Sequence, residues 1–160
     1  MTAQRKSADQ WFAEYGESHQ DHANEIIHWI CVPVIFYSVM AFVWSVPVPG
    51  PLAGAAPWFN WAQPATLAVL AFYFRLSAPL ALGMLGFMSF CYLLLELQRL
   101  FSPVAVWKSA LALFVAAWVG QFIGHKIEGK KPSFFKDVQF LLIGPAWLLH
   151  FVYKRLGVEY

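Results

Sequence analysis

A long apolar run covers residues 26–46 of this chain and contains few polar side chains, among them His28 and Ser38. As a helix its 21 residues would be about 31 Å long, enough to cross the hydrocarbon core of a bilayer. Ala53-Gly54-Ala55 has the spacing of a signal-peptide cleavage site, but the apolar run is too long and starts too late for a cleaved leader. The run therefore predicts a transmembrane helix.

Three further apolar segments, residues 58–76, 78–97 and 104–124, predict additional spans, and the first of them is the weakest. Residues 47–57 are uncharged and rich in proline and glycine, which indicates a loop. We therefore expect about four transmembrane helices.

Both ends of the chain differ from these spans. Residues 1–24 predict a cytoplasmic, amphipathic N-terminal helix, and residues 134–156 contain a short apolar stretch that Gly144-Pro145 interrupts. The stretch is short for a crossing and basic at both ends, so it predicts a re-entrant or interfacial helical hairpin, with a tilted fifth span as the alternative. The fold class we expect is an all-α, polytopic integral membrane protein with one domain over residues 1–160.

The composition agrees with a membrane protein. The chain is 59% hydrophobic and 12% charged, about half the charge density of an ordinary soluble domain. A net charge of +2, with basic residues scattered among apolar runs, argues against nucleic-acid binding. Cys31 and Cys91 lie inside apolar segments, where they are expected to be inert, buried side chains.

The basic residues predict the orientation. They concentrate before the first span, between the second and third, and after the fourth, which places the N-terminus in the cytoplasm, in our expectation at a bacterial inner membrane. Four crossings return the chain to its starting side. The histidines at both ends of the apolar region, among them His28 and His125, would then share the cytoplasmic face.

Four of the five histidines flank the spans: His19, His22 and His28 at one end and His125 at the other. On one uninterrupted helix His19 and His28 would be nine residues apart, about 180° around the axis, and could not bind the same ion. Asp21 and Asn24 are good N-cap residues, so we expect a helix break there. Imidazoles together with the carboxylate of Glu128 are ligand types of non-haem iron oxygenases.

Simpler interpretations of the same residues remain open. His22 and His150 have the character of amphipathic residues at headgroup depth. Glu128 could pair with Lys126 or Lys131 in solvent. His28 is harder to explain in this way, because an ionisable group inside an apolar run is unfavourable unless it faces protein or an ion.

Two blocks of residues carry a resemblance to a known family. Tyr15, His19, Asn24 and His28-Trp-Ile-Cys-Val-Pro33 form the first block, and Gln121-Phe-Ile-Gly124-His125 with Glu128 and Pro132 forms the second. Over nearly the whole chain this pattern resembles a family of small membrane-embedded proteins. Its fungal member is an iron(II)-dependent dioxygenase of 2-hydroxy fatty acids in fatty-acid α-oxidation.

The resemblance implies a function and a site. It implies that Fe²⁺ binds to His19, His28 and His125, with Asn24 and Glu128 as polar neighbours. Where the fungal enzyme has a further histidine this chain has Gln98 and Arg99, so Glu128, His150 or the weaker candidate His22 is left to complete the ligand set. The substrates would be a 2-hydroxy fatty acid and O2 among membrane lipids, with the carboxylate attracted by three lysines, Lys126, Lys130 and Lys131.

Three other classes of protein fit parts of the pattern. A haem protein could use His28 with His125 or His150 as axial ligands. A non-catalytic membrane scaffold would use the same residues for helix packing, and a metal-dependent lipid hydrolase would use the metal without oxygen. The sequence does not define the oligomeric state.

Overall fold

The computed structural model describes residues 6–131 and 139–160, and every regular element in these ranges is a helix. This confirms the all-α class. The described part contains seven helices: α1 (Ala8–Gly16), α2 (His22–Trp44), α3 (Gly50–Ala55), α4 (Ala62–Leu76), α5 (Ala78–Phe101), α6 (Val106–Glu128) and α7 (Phe140–Leu156).

Three of the described helices, α2, α5 and α6, are long and apolar enough to cross a membrane, by length and composition. Their outward faces carry exposed apolar side chains such as Ile30, Leu82 and Val115, which fits contact with lipid. The expected second span is the shorter helix α4, whose 15 residues extend over about 22 Å. The short helix α3 occupies part of the segment that was expected to be an irregular loop.

Helices α2 and α6 form a close antiparallel pair. Cβ atoms added at Gly120 and Gly124 would collide with the side chains of Cys31 and Asn24, so only glycine allows this approach. Gly124 lies near the end of α6, and Asn24 lies near the start of α2. The pairing therefore brings the beginning of the first long helix beside the end of the last one.

Helices α4 and α5 form a hairpin, because Ser77 alone separates them and its hydroxyl accepts a hydrogen bond from the backbone N–H of Leu80 at 3.3 Å. The side chain of Asn60, just before α4, donates to the carbonyl of Trp44 at the end of α2 (2.9 Å). At the other end of α4 the Tyr73 hydroxyl donates to the carbonyl of Leu142 in α7 (2.6 Å). Helix α4 therefore extends from the end of α2 to α7, and α5 returns in the opposite direction.

Helices α1 and α7 pack together across the end of the bundle where α2 begins. The buried side chains of α1 are Ala8, Trp11, Phe12 and Tyr15, a spacing that defines one helical face. Trp11 packs edge-on against Phe140 of α7, with ring centroids 5.4 Å apart. An amphipathic N-terminal helix was expected within residues 1–24, and the helix observed there ends at Gly16.

The described part of the segment expected to form a C-terminal hairpin is a single helix. Helix α7 continues through Gly144 and Pro145 as one helix of 17 residues. Pro145 lies in the second turn, where its missing N–H affects only one early hydrogen bond of the helix. Gly144 has a packing role, since a Cβ there would be 3.0 Å from the hydroxyl of Tyr15. Pro132 and residues 134–138 lie outside the described residues.

Candidate metal centre

A break between α1 and α2 brings His19 over the start of α2. The carboxylate of Asp21 caps α2 by accepting hydrogen bonds from the backbone N–H groups of Ala23 (2.9 Å) and Asn24 (3.1 Å). Residues 17–21 form the connection, so His19 is not on the same helix as His28. The break lies where the helix geometry requires it.

His19, His28 and His125 meet at this end of the bundle. Their ring centroids are 4.2 Å apart for His19 and His28, 5.0 Å for His19 and His125, and 4.8 Å for His28 and His125. One ring nitrogen from each lies within 4.8 Å of the others. The three residues are 5%, 0% and 3% exposed, respectively. Three imidazoles from three different segments therefore form one buried cluster, the His cluster.

Backbone carbonyls orient two of these imidazoles. Nδ1 of His19 lies 2.6 Å from the carbonyl oxygen of Tyr15, and Nδ1 of His28 lies 2.8 Å from that of Asn24. Because a carbonyl only accepts, each Nδ1 donates its proton, and the lone pair is left on Nε2. This is the arrangement in which a histidine is prepared to bind a metal through Nε2.

Three other ring nitrogens of the His cluster have no protein partner. Nε2 of His19, Nε2 of His28 and Nδ1 of His125 are buried and accept or donate no hydrogen bond. Buried polar atoms are rarely left unpaired. Metal–nitrogen bonds of about 2.0–2.1 Å hold two ligand atoms at most about 4.2 Å apart, so small rotations of the rings would let one ion satisfy all three. The residues present therefore fit a metal ion.

Aromatic packing holds His19 in place although it lies outside a helix. Tyr15 stacks on its imidazole with centroids 4.2 Å apart and planes inclined by 12°, and Trp147 of α7 packs on it at 5.3 Å. Burial lowers the pKa of His19 to about 4. The imidazole is therefore neutral at physiological pH, the form that binds metal ions.

Glu128 lies beside the His cluster and not inside it. Its carboxylate accepts hydrogen bonds from the backbone N–H of Gln20 (2.9 Å) and the side-chain amide of Asn24 (2.5 Å). The same amide donates to the carbonyl of Ser18 at 3.1 Å. Glu128, whose side chain is 4% exposed, thus joins the end of α6 to the connection that carries His19.

The structure separates the other candidate residues from the cluster. His22 is exposed at the first turn of α2. His150 is buried, but its Nδ1 faces the hydroxyl of Tyr160. In the region where a further histidine was sought, the Gln98 side chain accepts a hydrogen bond from Tyr37 (3.1 Å) and donates to Ser109.

The three candidate lysines lie at the end of α6 or just after it. Lys126, Lys130 and Lys131 are all exposed. The ammonium of Lys130 lies 3.6 Å from the carboxylate of Glu128 and also donates to the carbonyl of Glu17. The lysines therefore place exposed positive charge at the end of α6, where Lys130 lies beside Glu128.

An apolar cavity of about 520 Å³ extends from the His cluster into the bundle. His19 and His125 line its head end. Its far end is formed by Val43, Ala62 and Ala65, near the junction of α2 and α4, and most of the wall is aliphatic or aromatic. Sequence patterns did not reveal this cavity, because its shape depends on the space left between packed helices. Its volume suits a small ligand.

Fold and site together define a helical protein with apolar outer faces, in which three buried imidazoles that could hold a metal ion open onto a cavity for an apolar ligand. Residues 5–156 match the family described as Mpo1-like, 2-hydroxy-palmitic acid dioxygenase Mpo1-like. The chain belongs to this family.

One curated relative supports the family assignment. The chain is 29% identical over 142 residues to the 2-hydroxy-palmitic acid dioxygenase MPO1 of Saccharomyces cerevisiae, an alignment that covers 87% of this chain and 75% of the yeast protein. No solved structure matches the chain significantly. The resemblance identified from the two histidine blocks is therefore confirmed at the level of the family.

Proposed function

We propose that this protein is a non-haem iron(II) dioxygenase that shortens 2-hydroxy fatty acids by one carbon. The observation that carries the proposal is the His cluster, whose three unpaired nitrogens are buried at the head of an apolar cavity. Family membership supports the substrate class, since the yeast relative is named as a dioxygenase of 2-hydroxy-palmitic acid. Imidazole ligands suit iron as well as other transition metals.

In this proposal His19, His28 and His125 hold the metal. An iron(II) ion bound there would supply the redox chemistry toward O2 and an anchor for the carboxylate and the 2-hydroxyl of the substrate. The carbonyls of Tyr15 and Asn24 keep the protons of His19 and His28 on Nδ1, so that both Nε2 lone pairs remain available. Neither histidine needs to lose a proton before it binds the ion.

The cavity would hold the acyl tail. Val32, Phe36 and Met40 follow one another along the α2 face of its wall, and Trp118 and Phe114 do so along α6. A tail among these side chains excludes water from the head end and favours long apolar chains. The substrate need not leave the bilayer.

The overall reaction balances without an external reductant. Cleavage between carbons one and two converts the 2-hydroxy acid and one O2 into the shortened acid, CO2 and water. The organic substrate loses four electrons in this conversion, and complete reduction of O2 takes up four.

We also propose the membrane arrangement that this function requires. Helices α2, α4, α5 and α6 would be the four crossings, with α4 completing its crossing through the residues that flank it. The N-terminus, the His cluster and the three exposed lysines would then face the cytoplasm, in a bacterial cell at the inner membrane. There Lys126, Lys130 and Lys131 would attract the carboxylate of an incoming acid.

The ring geometry disfavours the haem alternative. Axial histidines lie on opposite faces of a porphyrin, whereas the rings of His28 and His125 are only 4.8 Å apart between centroids. His150 lies away from both, against Tyr160. A lipid hydrolase would use the same histidines but would consume no oxygen.

Oxygen uptake with product analysis tests the proposal. Protein purified without oxygen and loaded with iron(II) should consume one O2 for each 2-hydroxypalmitic acid and release the fifteen-carbon acid and CO2. His28→Ala and His125→Ala should abolish the conversion, and His22→Ala, at an exposed position, should keep it. Products that form equally well without oxygen would identify a hydrolase instead, and no conversion by the iron-loaded wild type would contradict the proposal.

A further inference from the structure

Gln121 contributes an amide to the wall of the cavity. It lies four residues before His125 on α6 and on the same helical face. Both side chains line the cavity, and Gln121 is only 6% exposed. Its position is one turn of α6, about 6 Å, further from the head end than His125.

The amide of Gln121 carries an unpaired donor. Its Nε2 is buried and has no hydrogen-bond partner. Thr66, another polar residue of the wall, differs in this respect because its hydroxyl lies 3.1 Å from that of Tyr92. A buried donor without a partner, among apolar side chains such as Val32 and Phe36, favours a ligand that brings an acceptor.

We propose that Nε2 of Gln121 donates a hydrogen bond to the 2-hydroxyl oxygen of the substrate and thereby distinguishes 2-hydroxy acids from unsubstituted ones. The inference rests on the proposed function, in which the carboxyl end lies at the His cluster and the tail enters the cavity. Such a substrate carries oxygen only on its first two carbons. Gln121 lies one turn further along the cavity than His125, toward the acyl tail. In this arrangement it would be next to carbon two of the substrate.

This hydrogen bond would make the site bind unsubstituted fatty acids more weakly than 2-hydroxy acids. An acid without the 2-hydroxyl would fill the same apolar cavity but leave the Gln121 donor buried and unpaired. A site built around a substrate hydroxyl discriminates far more strongly against its absence than an apolar pocket discriminates between chain lengths. Gln121 is therefore a specificity-determining residue rather than a metal ligand.

A binding comparison tests the role of Gln121. Dissociation constants for 2-hydroxypalmitic acid and palmitic acid are measured on iron(II)-loaded, oxygen-free protein, as wild type and as Gln121→Met. The preference for the 2-hydroxy acid should fall about tenfold in the variant, through weaker binding of that acid only, at unchanged iron content. Gln98→Leu is the matched control, because the Gln98 amide is bonded to Tyr37 and Ser109 outside the cavity, and it should keep the wild-type preference.

An unchanged preference in Gln121→Met, or an equal loss of affinity for both acids, would overturn the inference. Gln121→Leu repeats the test with a shorter side chain. If neither variant retains iron, the dissociation constants of the wild-type protein for 2-hydroxypalmitic acid and 3-hydroxypalmitic acid are compared. Equal dissociation constants would contradict the role of Gln121. Oxygen uptake by the wild type is measured separately, so that a failed dioxygenase proposal is recognised independently of the binding preference.

Discussion

The two ends of the cavity are built in opposite ways. At the head end, His19, His28 and His125 are polar and buried, and backbone carbonyls orient the imidazoles of His19 and His28. At the far end, Val43, Ala62 and Ala65 offer only small or aliphatic surfaces. The difference suggests a division of roles in which the head end determines the chemistry and the far end determines the length of the acid. Changes at the two ends should therefore affect different measurements.

Outside the metal ligands themselves, the largest effect should come from Gly124→Ala at the head end. The added Cβ would collide with the side chain of Asn24, whose carbonyl orients His28. We expect iron affinity to fall about 10- to 100-fold, as for other residues that orient metal ligands. Iron titration of the metal-free protein measures this.

Gly86→Ala is the control for that change. A Cβ at Gly86 meets nothing within 4 Å, so iron affinity should stay at the wild-type value while helix propensity raises stability by up to ~1 kcal/mol. Equal iron affinities in the two variants would show that the contact between Gly124 and Asn24 does not support the site.

Glu128→Gln should weaken the head end less. The new amide cannot replace both carboxylate oxygens as acceptors for Gln20 and Asn24, so the connection that carries His19 should loosen. We expect about a tenfold loss of iron affinity, measured by the same titration.

The control is Glu96→Gln on α5, where the carboxylate forms an exposed ion pair with Arg99 at 2.7 Å. Such pairs contribute about 1 kcal/mol or less to stability, and iron binding should not change. If Glu128→Gln also leaves iron binding unchanged, the network around Asn24 has no part in holding the metal.

Ala65→Phe should alter the far end alone. The larger side chain would shorten the space for the acyl tail, and each methylene that no longer fits removes about 0.8 kcal/mol of burial, close to fourfold in kcat/KM. The preferred acid should become shorter while iron content stays the same. Competition between 2-hydroxy acids of different lengths measures the preference.

Ala68→Phe provides the matched control, since Ala68, three residues after Ala65 on α4, is exposed and does not line the cavity. It should keep the wild-type preference. A loss of iron in Ala65→Phe would contradict the independence of the two ends.

The smallest effect should come from Lys126→Ala combined with Lys131→Ala. Both lysines are exposed, so their attraction for a carboxylate is screened by salt. We expect KM to rise less than about fivefold at low salt, and the difference from wild type to vanish at high salt. A salt-independent difference would indicate a direct contact with the substrate instead.

The His cluster could be predicted from the sequence because it follows from local rules of helix geometry and capping. Helix phase required a break between His19 and His28, and Asp21 provides the cap. An even number of predicted spans would place both ends of the apolar region on one side of the membrane, and the α2–α6 pair brings these ends together. These features depend on periodicity and charge, which a sequence displays directly.

Other features depend on packing and were missed. The position of Gln121 on the cavity wall could not be predicted, because the sequence does not show which face of α6 borders the cavity. Its spacing of four residues from His125 showed only that the two side chains share a helical face. The continuity of α7 was missed because a proline such as Pro145 normally indicates an interruption, whereas here it is accommodated inside one helix. Stacking of Tyr15 and Trp147 on His19 joins helices that lie far apart in sequence.

Metal analysis of protein purified without oxygen tests the central claim most directly. The wild type should contain one iron per chain, His19→Ala, His28→Ala and His125→Ala should each contain almost none, and His22→Ala and His150→Ala should match the wild type. A wild-type protein that binds no stoichiometric metal, or a His28→Ala variant that keeps its iron, would contradict the account.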